Sequence, residues 1–214
     1  MFLVLLAGAA AASLARRSAA DAADSPVVAA NQRLTALAGA ILYVLSIAIV
    51  VTVLDISGLL AEHYVVGVLL VPPVALKLGS TGYRFLRYYA GSAPYRLAGP
   101  PPLLLRFLVA PLLVASTVVV FVTGLELWLF GLRYGDSWMT AHTLSAVVMM
   151  LAVTAHVVPH LRRSVEAVAQ AASAPPRTAL SGRSFVLGSL LLGAALAAAS
   201  LLYTSPFPPA AAGG

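Results

Sequence analysis

A chain of 214 residues with 61% hydrophobic and only 9% charged side chains cannot cover itself with polar surface, since an ordinary soluble domain carries roughly 25% charged residues. The absence of cysteine excludes disulfides, thiolate metal sites and protein-held iron–sulfur clusters, so metal chemistry would have to run through histidine or carboxylate. The net charge of +6 does not point to nucleic acid, because the bases lie in short segments beside hydrophobic runs, where they act as a topology signal.

The chain opens on a short N-terminal hydrophobic segment, 1–17. Its apolar run, 1–15, would reach only about 22 Å as a helix, against roughly 30 Å of bilayer hydrocarbon. A cleaved signal peptide needs positive charge before the run, and here Arg16 and Arg17 follow it. Two readings stay open, a short helix with its N-terminus outside and an interfacial segment. An Ala-rich, Asp-containing linker, 18–33, leads to a predicted four-helix transmembrane core, 34–163. Its spans are 34–54, 59–78, 103–130 and 137–161, each near the roughly 20 apolar residues a crossing needs. A cytoplasmic linker, 164–183, a C-terminal transmembrane helix, 184–204, and a tail, 205–214, complete the chain. The predicted fold class is all-α: an integral membrane helical bundle with a four-helix core, one C-terminal helix and a short N-terminal hydrophobic helix.

Three local features mark the second and third spans. Pro72 and Pro73 remove two backbone donors midway along the second, freeing carbonyls one turn earlier that neighbours or water must satisfy; a packing kink is the plainest consequence. Residues 81–89 interleave Arg84 and Arg87 with aromatics, as in an interfacial anchor or the docking face for a cytoplasmic partner. The run Gly99-Pro-Pro-Pro102 stops any helix before the third span.

With five spans in order, twelve of the 13 Lys and Arg residues fall on one side: Arg16, Arg17, Arg33, Lys77, Arg84, Arg87, Arg96, Arg106, Arg162, Arg163, Arg177 and Arg183. Only Arg133 falls opposite. Because cytoplasmic loops attract positive charge, the 80–105 and 162–184 loops are expected in the cytoplasm and the C-terminus outside, in the inner membrane of a cell.

All four histidines, His63, His142, His156 and His160, lie in or at the ends of spans, where ionisable groups are costly and usually face a bundle interior or a functional site. His63 and His142 lie a few residues into the second and fourth spans, at similar depth near the outer face and on different helices. That is what an axially bis-ligated haem iron needs, one nitrogen from each face of the porphyrin; a hydrogen-bonded structural pair is the plainer alternative. Gly67, one turn after His63 on the same face, would let a flat macrocycle approach the backbone, although glycine also serves close helix packing. His156 follows His142 by 14 residues, about 40° away in azimuth and about 21 Å along the axis. The inner pair, His156 and His160, reads as structural or as donors to a quinone headgroup.

These histidines, His142 and His156-Val-Val-Pro-His160 on one helix with His63 on the second span, resemble the cytochrome b membrane subunits of formate dehydrogenases and nickel-iron hydrogenases. The resemblance covers four of the five spans and implies a four-helix core with two b-type haems, the outer one held by the second and fourth helices. It carries over to His63 and His142 as ligands of the haem iron. The inner haem of that family also takes a ligand from the first core helix, where residues 31–39 hold neither His nor Met. His160 cannot replace it, because residues four apart project to the same side of a helix. One haem b is therefore expected, with a quinone as the second candidate ligand.

At the outer level stand Glu126 and Arg133. A guanidinium matches a carboxylate in bidentate fashion, so Arg133 is a candidate to hold a haem propionate amid Trp128, Tyr134 and Trp138; a surface pair with Asp136 is the alternative. Glu126 could pair with a histidine, pass protons or simply be hydrated. The expected function is electron transfer between an extracytoplasmic redox protein and the quinone pool, by an electron-transfer subunit rather than a catalytic chain. The rival is a haem-free membrane scaffold. Membrane lipid is a partner in either case, nucleic acid is not, and a homo-oligomer stays open. A transporter fits less well, for want of intramembrane charge or a two-fold repeat. No nucleophile with a base, phosphate loop or carboxylate cluster is present.

Overall fold

The computed structural model describes residues 25–99, 103, 105–157 and 176–207. Their regular elements are all helical: α1 (Pro26–Leu54), α2 (Leu60–Tyr89), the short α3 (Ala93–Leu97), a π-helical turn (Leu105–Val109), α4 (Ala110–Phe130), α5 (Ser137–Val157) and α6 (Pro176–Ser200). Five of these helices are long and apolar enough to cross a membrane. The protein is an all-α, multi-pass membrane bundle. The 1–17 segment and His160 lie outside the described residues.

Three helix boundaries differ from those that hydropathy suggests. Helix α1 begins at Pro26, inside the expected linker, because proline lacks the donor that a first turn leaves unused. Its early turns then find polar partners on α2, as Asn31 Nδ2 donates to the Ser80 carbonyl at 3.2 Å and Thr35 Oγ1 to Ser80 Oγ at 3.1 Å. Helix α2 runs unbroken through 81–89, so the Arg-aromatic stretch continues the helix of the second span. Helix α6 starts at Pro176, within the expected 164–183 linker.

Burial is inverted relative to a water-soluble protein. The buried set includes Thr52, Ser80, Ser116, Thr117, Thr123, Glu126, Ser145 and Ser200, whereas Leu54 and Leu191 are 81% and 71% exposed. Buried hydroxyls return their protons to carbonyls one turn back, as Ser116 does to Leu113 and Ser200 to Ala197. Small polar residues inside and large aliphatic residues outside are the pattern expected where lipid is the solvent.

The helices pack in two groups. One holds α1, α2 and α6; the other is the pair α4 and α5, and between the groups α2 meets α4 only sparsely. Helix α6 is thus part of the bundle, packed on α2 as closely as α1 is. The prolines explain the fit. Pro73 cannot donate to the carbonyl of Leu69, and α6 brings Gly193 against that oxygen so closely that an added Cβ would lie 2.5 Å from it. Before α4, Pro111 likewise removes a donor, and the chain passes through the π-helical turn there.

Candidate functional site

His63 stands in the first turn of α2 and His142 in the second turn of α5, one from each helix group. The short loops on this side bring them level. Asp55 ends α1 and its carboxylate accepts from the Gly58 amide at 3.2 Å and the Ser57 hydroxyl at 3.3 Å, turning the chain into α2. Gly131 ends α4 with φ of 62°, its amide bonded to the Leu127 carbonyl at 2.8 Å, a left-handed cap that suits glycine.

The two imidazoles face each other across the gap between the groups, ring centroids 6.3 Å apart and planes at 83°. Each is oriented by a different neighbour through Nδ1. Thr52 of α1 gives its hydroxyl proton to the Ile49 carbonyl at 2.7 Å, so its oxygen accepts from Nδ1–H of His63 at 2.9 Å. On the other side, Nδ1 of His142 lies 3.0 Å from the Val120 carbonyl, which can only accept. The Thr123 hydroxyl, bonded to the Val119 carbonyl at 2.7 Å, accepts from the same Nδ1 at 3.1 Å. The Val120 carbonyl thus makes His142 the Nδ1–H tautomer when neutral, and with the Thr52 proton on the Ile49 carbonyl His63 is the same tautomer, each ring keeping its Nε2 lone pair. The ring of His142 lies along Gly124, where an added Cβ would be 2.9 Å from Cε1.

Two neutral imidazoles that both donate through Nδ1 have no proton left with which to hydrogen-bond each other. What the pair can bind is an electron-pair acceptor. His63 and His142 would be the residues to hold such an acceptor, one from each helix group, through Nε2. Among the described residues no group of three or more His, Asp or Glu could hold a metal; the facing pair supplies two nitrogens, the number an iron already held by a porphyrin accepts. Gly67 has nothing within 4 Å of where a Cβ would stand, leaving open space one turn below His63. The residues present fit a haem.

The remaining candidates separate from this pair. Arg133 is exposed and its guanidinium lies over the Tyr134 ring, 5.7 Å from the centroid. Glu126 is buried, and neither carboxylate oxygen has a hydrogen-bond partner among the described residues. His156 lies half-buried in the last turn of α5. At that far end, the stretch 31–39 that lacks His and Met is occupied by the α1–α2 polar contacts. Lys77 Nζ donates to the Thr35 carbonyl at 2.7 Å and sits 3.0 Å from where a Cβ on Gly39 would be.

Sequence reasoning missed Thr52, Thr123 and Gly124. Thr52 and Thr123 are 11 and 19 residues from the histidines they orient, and only the pairing of neighbouring helices reveals them. The chain matches no protein-family model, no curated protein and no solved structure.

Proposed function

We propose that this protein is a b-type cytochrome of the cytoplasmic membrane, with one haem iron between His63 and His142, carrying electrons between an extracytoplasmic redox protein and the quinone pool. The observation that carries the reading is the facing pair itself, with centroids 6.3 Å apart and both Nδ1 atoms occupied by threonine or carbonyl acceptors. A haem supplies a one-electron centre when bound. The chain's own part is to present two Nε2 lone pairs from opposed helices, with rings locked by Thr52, Thr123 and the Val120 carbonyl. Such outer partners fix the tautomer and raise ligand basicity. Gly67 and Gly124 keep side-chain bulk away from the macrocycle and from the His142 ring.

Visible spectra of the detergent-purified protein, oxidised and then reduced, test this. About one haem per chain is expected, because among the described residues only His63 and His142 face each other, and His63→Ala or His142→Ala should each abolish the reduced b-type spectrum. Protein made with ample haem that binds none would leave the scaffold reading. Two haems per chain would reveal a ligand at the far end.

A further inference from the structure

The C-terminus of α2, the N-terminus of α4, the C-terminus of α5 and the N-terminus of α6 all stand at the end remote from the histidine pair. At the histidine end, loop 55–59 joins α1 to α2 and loop 131–136 joins α4 to α5, so each closes within one group. The contact that ties the groups together there is the segment following α6. Helix α6 unwinds through turns at Leu201, Leu202 and Tyr203, and the chain then lies across the end of α4. Tyr203 Oη donates to the Leu129 carbonyl at 2.6 Å and Ser205 Oγ to the Trp128 carbonyl at 2.7 Å. The Phe207 amide donates to Ser205 Oγ at 3.2 Å. The rings of Tyr203 and Trp128 stack edge to face, 5.0 Å apart. The Pro206 carbonyl is pressed against Gly131, 3.0 Å from where a Cβ would stand.

The carbonyls of Trp128 and Leu129 belong to the last turn of α4, where no further turn exists to donate to them. The segment therefore does for α4 what a C-terminal cap does, with donors that come from the other helix group. It also approaches the helix that carries His63. The buried hydroxyl of Tyr64, adjacent to His63 in sequence, lies close to Ser205 although outside hydrogen-bond geometry.

We propose that residues 201–207 form a clasp that sets the spacing of the two helix groups at the histidine end, with Tyr203 and Ser205 as positioning residues for His63 and His142. Sparse packing between α2 and α4 leaves that spacing to the clasp. The consequence for haem rests on the function proposed above; the consequence for spacing does not.

The absence of cysteine allows a direct test in the full chain. Spin labels on Ile56→Cys and Ser137→Cys span the groups at the histidine end, and labels on Ala90→Cys and Ala155→Cys span them at the far end. The double variant Tyr203→Phe with Ser205→Ala keeps the aromatic stack and removes both hydrogen bonds. It should broaden and lengthen the distance distribution at the histidine end and leave the far end unchanged. Ser205→Thr, which keeps a hydroxyl, should preserve the native distribution. In haem-loaded protein the double variant should lose haem faster by on the order of tenfold, the equivalent of two modest hydrogen bonds. An unchanged distribution at the histidine end, or equal broadening at both ends, would overturn the clasp. Broadening confined to the histidine end in a protein that binds no haem would keep the clasp and remove the cytochrome.

Discussion

The two histidines are oriented by unequal sets of acceptors, and the inequality can be measured. His63 Nδ1 has one acceptor, Thr52 Oγ1 at 2.9 Å, whereas His142 Nδ1 has both Thr123 Oγ1 and the Val120 carbonyl, the latter independent of any side chain. Thr52→Val keeps the shape and removes the acceptor, so haem affinity should fall by about 10- to 100-fold, as is usual when a ligand loses its outer partner. Thr123→Val should cost clearly less, because the Val120 carbonyl still holds the ring. Haem titration of the two variants side by side checks the order, and equal losses would contradict the tautomer assignment. At this scale the facing histidine pair was legible in the sequence and its supports were not. A histidine in an apolar span is conspicuous because it is costly there. A threonine is ordinary in the same setting, and whether Thr52 meets His63 depends on how α1 is rotated against α2.

At the scale of elements, the sequence marks where spans lie better than where they end. Hydropathy sees the lipid-facing length of a helix, but the early turns of α1 are tied to Ser80 of α2 by Asn31 and Thr35, polar contacts with no hydropathy signature. Pro72 and Pro73 announce freed carbonyls, yet not the answer to them, which is the approach of Gly193 to Leu69. That approach predicts a contrast within α6. Gly193→Ala would place a methyl group against backbone on another helix, which cannot rotate away, and should destabilise the fold by about 1–3 kcal/mol. Gly188→Ala meets nothing within 4 Å and should be close to neutral. Unfolding by a graded denaturing detergent compares them. Helix α5 carries its own test, since His156 stands in its last turn, about 21 Å along the axis from His142, and no His or Met on α1 opposes it. His156→Ala should leave haem content and spectrum intact; bleaching comparable to that of His142→Ala would show that a second haem had been overlooked.

For the whole molecule, the all-α membrane bundle was readable from composition, because a chain with so few charged residues has only the lipid to face. The division into two helix groups was not readable, since it depends on which apolar faces meet, and α1, α4, α5 and α6 differ little in polarity from face to face. Orientation is the property of the molecule that sequence and structure constrain jointly. Loops 55–59 and 131–136 stand at the end with the histidine pair, and between them they hold Asp55 and Asp136 with Arg133 as the single base. The opposite end receives Arg84, Arg87 and Arg96. A positive-inside orientation then puts that end in the cytoplasm and the histidine pair, with the clasp over it, on the outer side. Reporter fusions at Ser92 and after Gly214 separate the alternatives. A reporter active only outside the cytoplasm should be silent at Ser92 and active at Gly214, because an odd number of spans after Ser92 is needed to bring the C-terminus across. Activity at Ser92 would invert the bundle and move the histidine pair to the cytoplasmic face. Activity at neither position would mean that one of α4, α5 and α6 does not cross, which the equal level of His63 and His142 does not allow for α4 or α5, and would leave α6 as the helix to re-examine.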